Sequence, residues 1–223
     1  MKKVLLSLMA ILLSVGAYAQ LIANKTDNKV TVGVDLFHDF QLKPSGNWDA
    51  RGFNQGVSWA VTYNFPLGES KKHTVSIGAG MSHHNYFSYS RILNPYTTDT
   101  LQYVQCRDIE NFKRFKVNAN YIDIPLELRF RIKDAVKIGV GFKLGILAMA
   151  KTKYVGPDAN GVVVHEKEMY IKNLERYTYS ATLRVGWQWM SVFAAYQLNP
   201  VFEVGHDAPV FHPLSVGISI APF

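Results

Sequence analysis

The segment YIDIPLELRFRIKDAVKIGVGFKLG, residues 121–145, decides the fold. Apolar side chains alternate with polar or charged ones over residues 122–132, and the alternation resumes over residues 136–144. A repeat of two residues places the two sets on opposite faces of a β-strand. Residues 133–135 supply a tight turn, so the segment predicts a hairpin with one apolar face and one charged or glycine-bearing face. Such a hairpin is typical of a half-solvated soluble sheet and also of a membrane barrel.

The same alternation predicts six further strands, at residues 30–36, 57–65, 74–82, 177–189, 192–198 and 214–220. Only the strand at 192–198 is ambiguous, because Phe193 competes with the apolar set that includes Val192 and Tyr196. The connections alternate between long and short, and the long ones include residues 85–118 and 151–175. Outer-membrane barrels have this order, with short periplasmic turns, longer external loops and an even number of strands.

The N-terminus predicts export from the cytoplasm. Lys2 and Lys3 precede a short apolar run, and Ala17-Tyr18-Ala19 forms a small-x-small cleavage site before Gln20. This pattern is typical of a secretory signal peptide, and its apolar run is too short to span a bilayer as a helix. We therefore expect a signal peptide at residues 1–19, cleaved after Ala19, and one β-barrel domain at residues 20–223.

Charge and cysteine content exclude several classes of function. The net charge of +7 falls to +5 once Lys2 and Lys3 are removed, and no block of Lys or Arg marks a nucleic-acid site. Cys106 is the only cysteine, so no internal disulfide is expected. The absence of a cysteine directly after the signal peptide also argues against a lipid-anchored protein.

Charged residues favour a membrane barrel, because none falls on the apolar face of the eight predicted strands. An Arg facing lipid near the midplane costs about 2–4 kcal/mol. The lumen is therefore predicted to hold a network of mixed charge: Asp35, Asp123, Glu127, Arg129, Arg131, Lys143 and Arg184. An eight-stranded barrel has an interior just wide enough for side chains to fill, so this network is expected to plug it; a conducting pore is the alternative.

Aromatic residues cluster near the predicted strand ends, as in the interfacial girdles of membrane barrels. These residues are Tyr63 and Phe65, Tyr177 and Tyr179, and Trp187 and Trp189. A soluble lipocalin-like barrel would reverse the geometry, with the apolar face around a ligand. The second face is rich in glycine and serine, which suits a crowded lumen better than a solvated exterior. The sequence thus predicts an all-β, eight-stranded antiparallel up-and-down transmembrane barrel.

The chain resembles the small outer-membrane β-barrel, porin-like family of Gram-negative bacteria. The resemblance rests on the A-Y-A-Q export site, the YIDIPLELRFR segment and the terminal PLSVGISIAPF. It implies an outer-membrane location, contact with membrane lipid, and an assembly signal at Phe223 that is read by the barrel-assembly machinery. Pro222 shifts Phe223 onto the opposite parity from Leu214, which departs from the usual signal. PorT-like barrels, which assist protein secretion, are a further resemblance within this fold.

Candidate catalytic and metal-binding residues are few. Ser82, His83, His84, His206 and Asp207 supply the residue types of an outer-leaflet lipid enzyme, without a nucleophile-elbow sequence. The histidines predicted at external positions have no helical ligand spacing, so no metal or other cofactor is expected. The expected role is non-enzymatic, either surface binding to an unidentified external ligand or protein or an envelope-structural one. The alternatives are a PorT-like secretion barrel, a small porin and an outer-leaflet lipid-modifying enzyme.

Overall fold

The computed structural model describes residues 29–221, except residues 47, 70–71, 97–99, 133–135 and 206. The predicted signal peptide, the predicted turn at 133–135, His206 and Phe223 therefore lie outside the described residues. The described strands are β1 (Val30–Leu42), β2 (Gln55–Leu67), β3 (His73–Ser88), β4 (Ser90–Ile92), β5 (Tyr103–Gln105), β6 (Arg114–Ile132), β7 (Val136–Pro157), β8 (Val163–Met169), β9 (Tyr177–Trp187), β10 (Met190–Gln197) and β11 (His212–Ile220). No helix in the described ranges is long and apolar enough to cross a membrane.

Eight of these strands close into a barrel. The antiparallel order is β1-β2-β3-β6-β7-β9-β10-β11, and β11 pairs with β1 to complete the ring. Neighbours in the ring are also neighbours along the chain, apart from the small hairpin β4–β5 and strand β8. The predicted eight-stranded up-and-down barrel is confirmed.

The apolar face of each strand points outward, as a lipid environment requires. Near the middle of the barrel, Val140 lies opposite Leu128 on one side and Leu183 on the other. Val140 is 47% exposed on the isolated chain, whereas the neighbouring Arg129 is 7% exposed. On β10, Val192 is 61% exposed and Phe193 only 6%, which resolves the ambiguous strand in favour of an outward Val192. We call the outward apolar surface, which spans residues 122–132 on β6, the belt.

Several strands run well past the ends that alternation predicts. β3 continues to Ser88, β6 begins at Arg114, and β7 is 22 residues long. The pattern fails there because the two faces exchange character: Phe115, Val117 and Tyr121 are buried inside, while Lys116 and Asn120 lie on the outward face. This exchange at Ile122 marks the external edge of the belt, where water replaces lipid outside the barrel.

Beyond that edge the chain builds a second layer of structure. Strand β8 pairs with the external half of β7, and the hairpin β4–β5 lies within the predicted 85–118 loop. We call this part the external cap; it comprises residues 43–54, 83–121, 147–176 and 198–211. The long connections are therefore folded structure continuous with the barrel wall.

Candidate functional site

Charged side chains cross the lumen. Arg184 of β9 donates from Nη1 to Asp35 Oδ1 of β1 at 3.0 Å and from Nε to Glu127 Oε1 of β6 at 3.2 Å. Arg129 binds the other oxygen of Glu127, at 2.5 Å from Nε. One guanidinium thus joins three strands that are far apart in the ring. In a low-dielectric interior, paired charges of this kind are strongly held in place.

Other lumen residues bind to this charged network or form separate contacts next to it. Arg129 also donates to Asn64 at 2.9 Å, and Ser58 donates to Asp35 at 3.0 Å. Lys143 and Asp123 form a separate ion pair at 3.2 Å. Arg131, predicted to belong to the network, makes no ion pair with a carboxylate in the described part of the chain. Sequence reasoning passed over Asn64 and Ser58, whose inward parity on β2 was the available signal.

The lumen between these side chains is small. Its cavity measures about 80 Å³ and is lined by Asp35, Glu127, Arg129 and Arg184 among others. Such a volume holds a few water molecules and falls well short of a continuous aqueous channel. The barrel interior is therefore filled by its own side chains, as expected for eight strands.

Five of the six predicted interface aromatics lie on the outward face near strand ends. The sixth, Trp189, was predicted to continue the strand of Trp187, but β9 ends at Trp187 and Trp189 lies in the turn that follows. Tyr63 and Phe65 precede the short connection between β2 and β3, while Trp187 ends β9 and Trp189 follows it, all at the end of the barrel with the short turns. Tyr177 and Tyr179 are partly exposed at the opposite, external end of β9.

A hydrophobic core closes the external mouth. Its buried members come from every external segment: Trp48, Tyr86, Ile92, Leu101, Cys106, Phe115, Val117, Ala119, Tyr121, Ala150, Tyr154, Ile171, Leu174, Val201, Phe202, Ala208 and Phe211. At its centre Trp48 stacks on Phe211 with ring centroids 6.0 Å apart, and Tyr86 meets Phe211 edge-on at 5.5 Å. The scattered aromatic residues of the predicted loops were the sequence signal for this core.

A buried polar group lies beneath the cap core. His84 Nδ1 is 2.8 Å from Asp39 Oδ2, and Ser215 donates to Asp39 Oδ1 at 2.5 Å. Nucleophilic catalysis needs the serine hydroxyl bound to the imidazole. Here the carboxylate stands between Ser215 and His84, so the arrangement suits a structural link between β1, β3 and β11.

Among the described candidates for catalysis or metal binding, Ser82 and His83 point in different directions. His83 faces outward and contacts Asn118 and Asn120, while the hydroxyl of Ser82 is buried on the inner face. Among the described residues, no group of three or more His, Cys, Asp or Glu side chains is arranged to hold a metal ion.

The outer surface of the cap carries exposed apolar and aromatic side chains. Tyr170 is 75% exposed and has a backbone φ of 66°, a conformation that is uncommon for a bulky residue. Val162 and Val204 are also largely exposed. Also on the cap, Arg51 and Arg107 both lie over the ring of Tyr89, at 4.9 and 4.5 Å from its centroid. Exposed aromatic and arginine side chains are the types enriched at binding interfaces.

The labelling rate of Cys106 measures how often the cap core opens. Its thiol is 1% exposed and burial raises its pKa, so the reactive thiolate is scarce at neutral pH. We expect a maleimide to label Cys106 about 100-fold more slowly than an exposed cysteine, the factor that a local opening free energy of roughly 3 kcal/mol gives.

A matched control is a Cys106→Ala, Val162→Cys variant, which places the thiol at an exposed cap position. Mass spectrometry of the purified protein in detergent follows both labelling rates. Equal rates for Cys106 and the cysteine at 162 would show that the cap core opens freely.

The chain is similar to a known protein family and to solved structures. The family model described as outer membrane protein beta-barrel domain matches residues 14–204. Among solved structures, the chain is similar to Ail, the attachment invasion locus protein of Yersinia pestis, with 10% identity, a TM-score of 0.38, and 86% of this chain and 95% of that chain covered. The chain is also similar to Ail in complex with the heparin analogue sucrose octasulfate, with 11% identity and a TM-score of 0.37. In that comparison 86% of this chain and 96% of that chain are covered. No curated protein matches the chain significantly.

Proposed function

This chain belongs to the outer membrane protein β-barrel domain family, and from that premise we propose a non-enzymatic role at the cell surface, carried by the external cap. The barrel spans the outer membrane and holds the cap outside it. The role we favour is binding of an external ligand or protein; an envelope-structural role is the second form of the same proposal. Loops held on a rigid scaffold are the usual place for such functions.

The cap core is the observation that carries this proposal. Trp48, Phe202 and Phe211 come from two different external connections and pack as one buried cluster. Burying large aromatic side chains from separate segments fixes those segments relative to one another. The surface that carries Tyr170 and Val204 is therefore preorganised, which lowers the entropy cost of binding a partner.

The alternatives receive less support from the geometry. A pore needs an open lumen, whereas Arg184 crosses it and the cap core covers its mouth. An enzyme of the serine type needs a serine bound to histidine, whereas Ser215 is bound to Asp39. The PorT-like resemblance concerns the barrel alone, and it offers no residue on the cap to argue from.

The route to the membrane is part of the proposal. We infer cleavage after Ala19, insertion by the barrel-assembly machinery through a signal that includes Phe223, and lipid contact around the belt. The outward position of Leu126 and Val140 supports the lipid contact.

Photo-crosslinking in intact cells tests the cap directly. A crosslinkable amino acid replaces Tyr170, Val162 or Val204, and a control replaces Val192 in the belt, which is exposed to a similar extent. We expect a discrete adduct from cap positions that is missing from the Val192 control. If no cap position forms an adduct, but a strain that lacks this protein leaks periplasmic protein, the results favour the envelope-structural form.

The absence of both adducts and leakage would contradict the proposal. Surface display of each variant is checked by antibody labelling of whole cells, so that a negative result reflects the cap and not export.

A further inference from the structure

Lysines form a row on the outward face of the barrel wall, just external to the belt. The strand register places Lys116 of β6 opposite Lys153 of β7, and Lys153 opposite Lys167 of β8. Lys151 lies two residues along β7 on the same face, opposite Asn118. Directly opposed residues in an antiparallel sheet have Cα atoms about 4.5–5.5 Å apart. Four ammonium groups therefore share one small surface, which we call the lysine patch.

The acidic side chains of β8 face away from the lysine patch. Glu166 and Glu168 alternate with Lys167 on β8 and so face the other way, where Glu166 binds Arg91 and Glu168 approaches Thr152. Within the described ranges, no ion pair joins Lys151, Lys153 or Lys167 to a carboxylate. Like charges placed directly opposite one another destabilise a sheet, so an anion bound from outside would stabilise this arrangement.

A polar network holds one of the lysines in place. Lys116 Nζ donates to Asn85 Oδ1 at 2.6 Å, and Asn118 donates to the same oxygen at 3.2 Å and to His83 at 3.0 Å. Lys116, at one edge of the patch, is thus held in place by this network.

The position of the patch identifies the source of the anion. Lys116 is six residues beyond Ile122, about 20 Å along the strand and roughly 15 Å above the belt at the usual strand tilt. Lys151 lies one row closer, about 10 Å above, and its flexible side chain extends the reach further. The headgroup layer of an ordinary bilayer ends about 5–8 Å above the hydrocarbon, so a headgroup that carries sugars is needed to reach the outward face of the wall at this height. On the opposite wall the external strand ends carry Phe40, Leu42 and Leu198, so the basic surface lies on one side.

We propose that the lysine patch binds the phosphate groups of the phosphorylated glycolipid in the outer leaflet. Continuity with the belt lets one lipid place its acyl chains on Ile122 and Ile146 and its headgroup phosphates on Lys151, Lys153 and Lys167. The lysine patch lies within the external cap, on the outward face of β6, β7 and β8. It goes beyond the function proposed above because its ligand is a membrane lipid and not an external partner of the exposed surface that carries Tyr170 and Val204. A lipid held there would fix the rotation and depth of the cap relative to the membrane surface.

A lysine-to-glutamine comparison tests the proposal. The patch variant carries Lys151→Gln, Lys153→Gln and Lys167→Gln; the matched control carries Lys29→Gln, Lys43→Gln and Lys172→Gln, three exposed lysines elsewhere. Lys116 is kept because of its hydrogen bond to Asn85. Purified lipopolysaccharide is titrated into each protein in non-ionic detergent. We expect about 100-fold weaker binding by the patch variant, near fivefold for each charge removed, and no change in the control.

Four further probes separate the outcomes. Phosphatase-treated lipopolysaccharide should bind wild type as weakly as intact lipopolysaccharide binds the patch variant, and inorganic phosphate alone should bind weakly to all. Equal binding of intact and dephosphorylated lipid, or equal loss in the control variant, would overturn the proposal. Lysine-dependent binding of dextran sulfate without binding of lipopolysaccharide would overturn the lipid assignment. In wild type, lipopolysaccharide should protect Lys151, Lys153 and Lys167 from acetylation while leaving Lys43 and Lys172 reactive.

Discussion

Arg184→Met is expected to lower the free energy of unfolding by about 3–5 kcal/mol, the range for removing one member of a buried ion pair. Arg184 binds both Asp35 and Glu127, and all three side chains are largely buried. Methionine keeps much of the volume but leaves two carboxylates short of a partner in the lumen. Urea-induced unfolding of the protein in lipid vesicles, followed by tryptophan fluorescence, gives the difference directly.

The matched control is Arg131→Met on the same wall. Arg131 has no carboxylate partner among the described residues, so we expect a loss below about 1 kcal/mol. Similar losses from the two variants would mean that lumen arginines act through volume alone. That result would contradict the claim that the ion pairs of Arg184 across the lumen hold it closed.

Val140→Arg is expected to lower the free energy of unfolding by about 2–4 kcal/mol, the cost of an arginine facing lipid near the bilayer midplane. Val140 points outward between Leu128 and Leu183, so its replacement has no lumen carboxylate within reach. A cold-gel mobility assay, which separates folded from unfolded barrels, checks that the variant inserts before the urea titration is performed.

The control is the same substitution at an outward position closer to the membrane surface. Val30 begins β1 at the periplasmic end of the belt, and Val30→Arg is expected to cost about 0–1 kcal/mol because its guanidinium reaches the headgroups. A cost that is the same at both depths would argue that the outward face does not meet hydrocarbon at Val140.

The hairpin at residues 121–145 could be predicted because lipid and lumen impose opposite demands on its two faces. Every outward residue from Ile122 to Ile132 must be apolar, and inward charges such as Arg129 must avoid lipid. External to Ile122 this constraint ends. There Val117 and Tyr121 face inward to the cap core while Lys116 and Asn118 face outward. The apolar residues therefore change faces within one strand, and the alternation in the sequence is interrupted. For this reason the connection predicted at residues 85–118 is occupied at both ends by extensions of β3 and β6.

The lumen shows a second limit of sequence reasoning. Parity places Asp35, Glu127 and Arg184 inside the barrel, but their pairing depends on the ring closing and on strand register. Arg184 lies 149 residues from Asp35 in sequence. Nothing local distinguishes Arg131, which has no carboxylate partner in the described structure, from Arg129, because the two residues share the same parity. The lysine patch depends on register in the same way, since its members come from three strands.

The orientation of the two strand faces is the claim on which the whole account depends, and a nitroxide scan of β2 tests it most directly. In a Cys106→Ala background, single labels replace Val57, Trp59 and Val61 on the outward face and Ser58 and Thr62 on the inward face. Collision rates with oxygen and with a water-soluble nickel complex are measured by electron paramagnetic resonance in vesicles. The account predicts high oxygen and low nickel accessibility at the three outward positions, and low accessibility to both at the two inward positions. Nickel access at Val57, Trp59 and Val61, or oxygen maxima at Ser58 and Thr62, would contradict it.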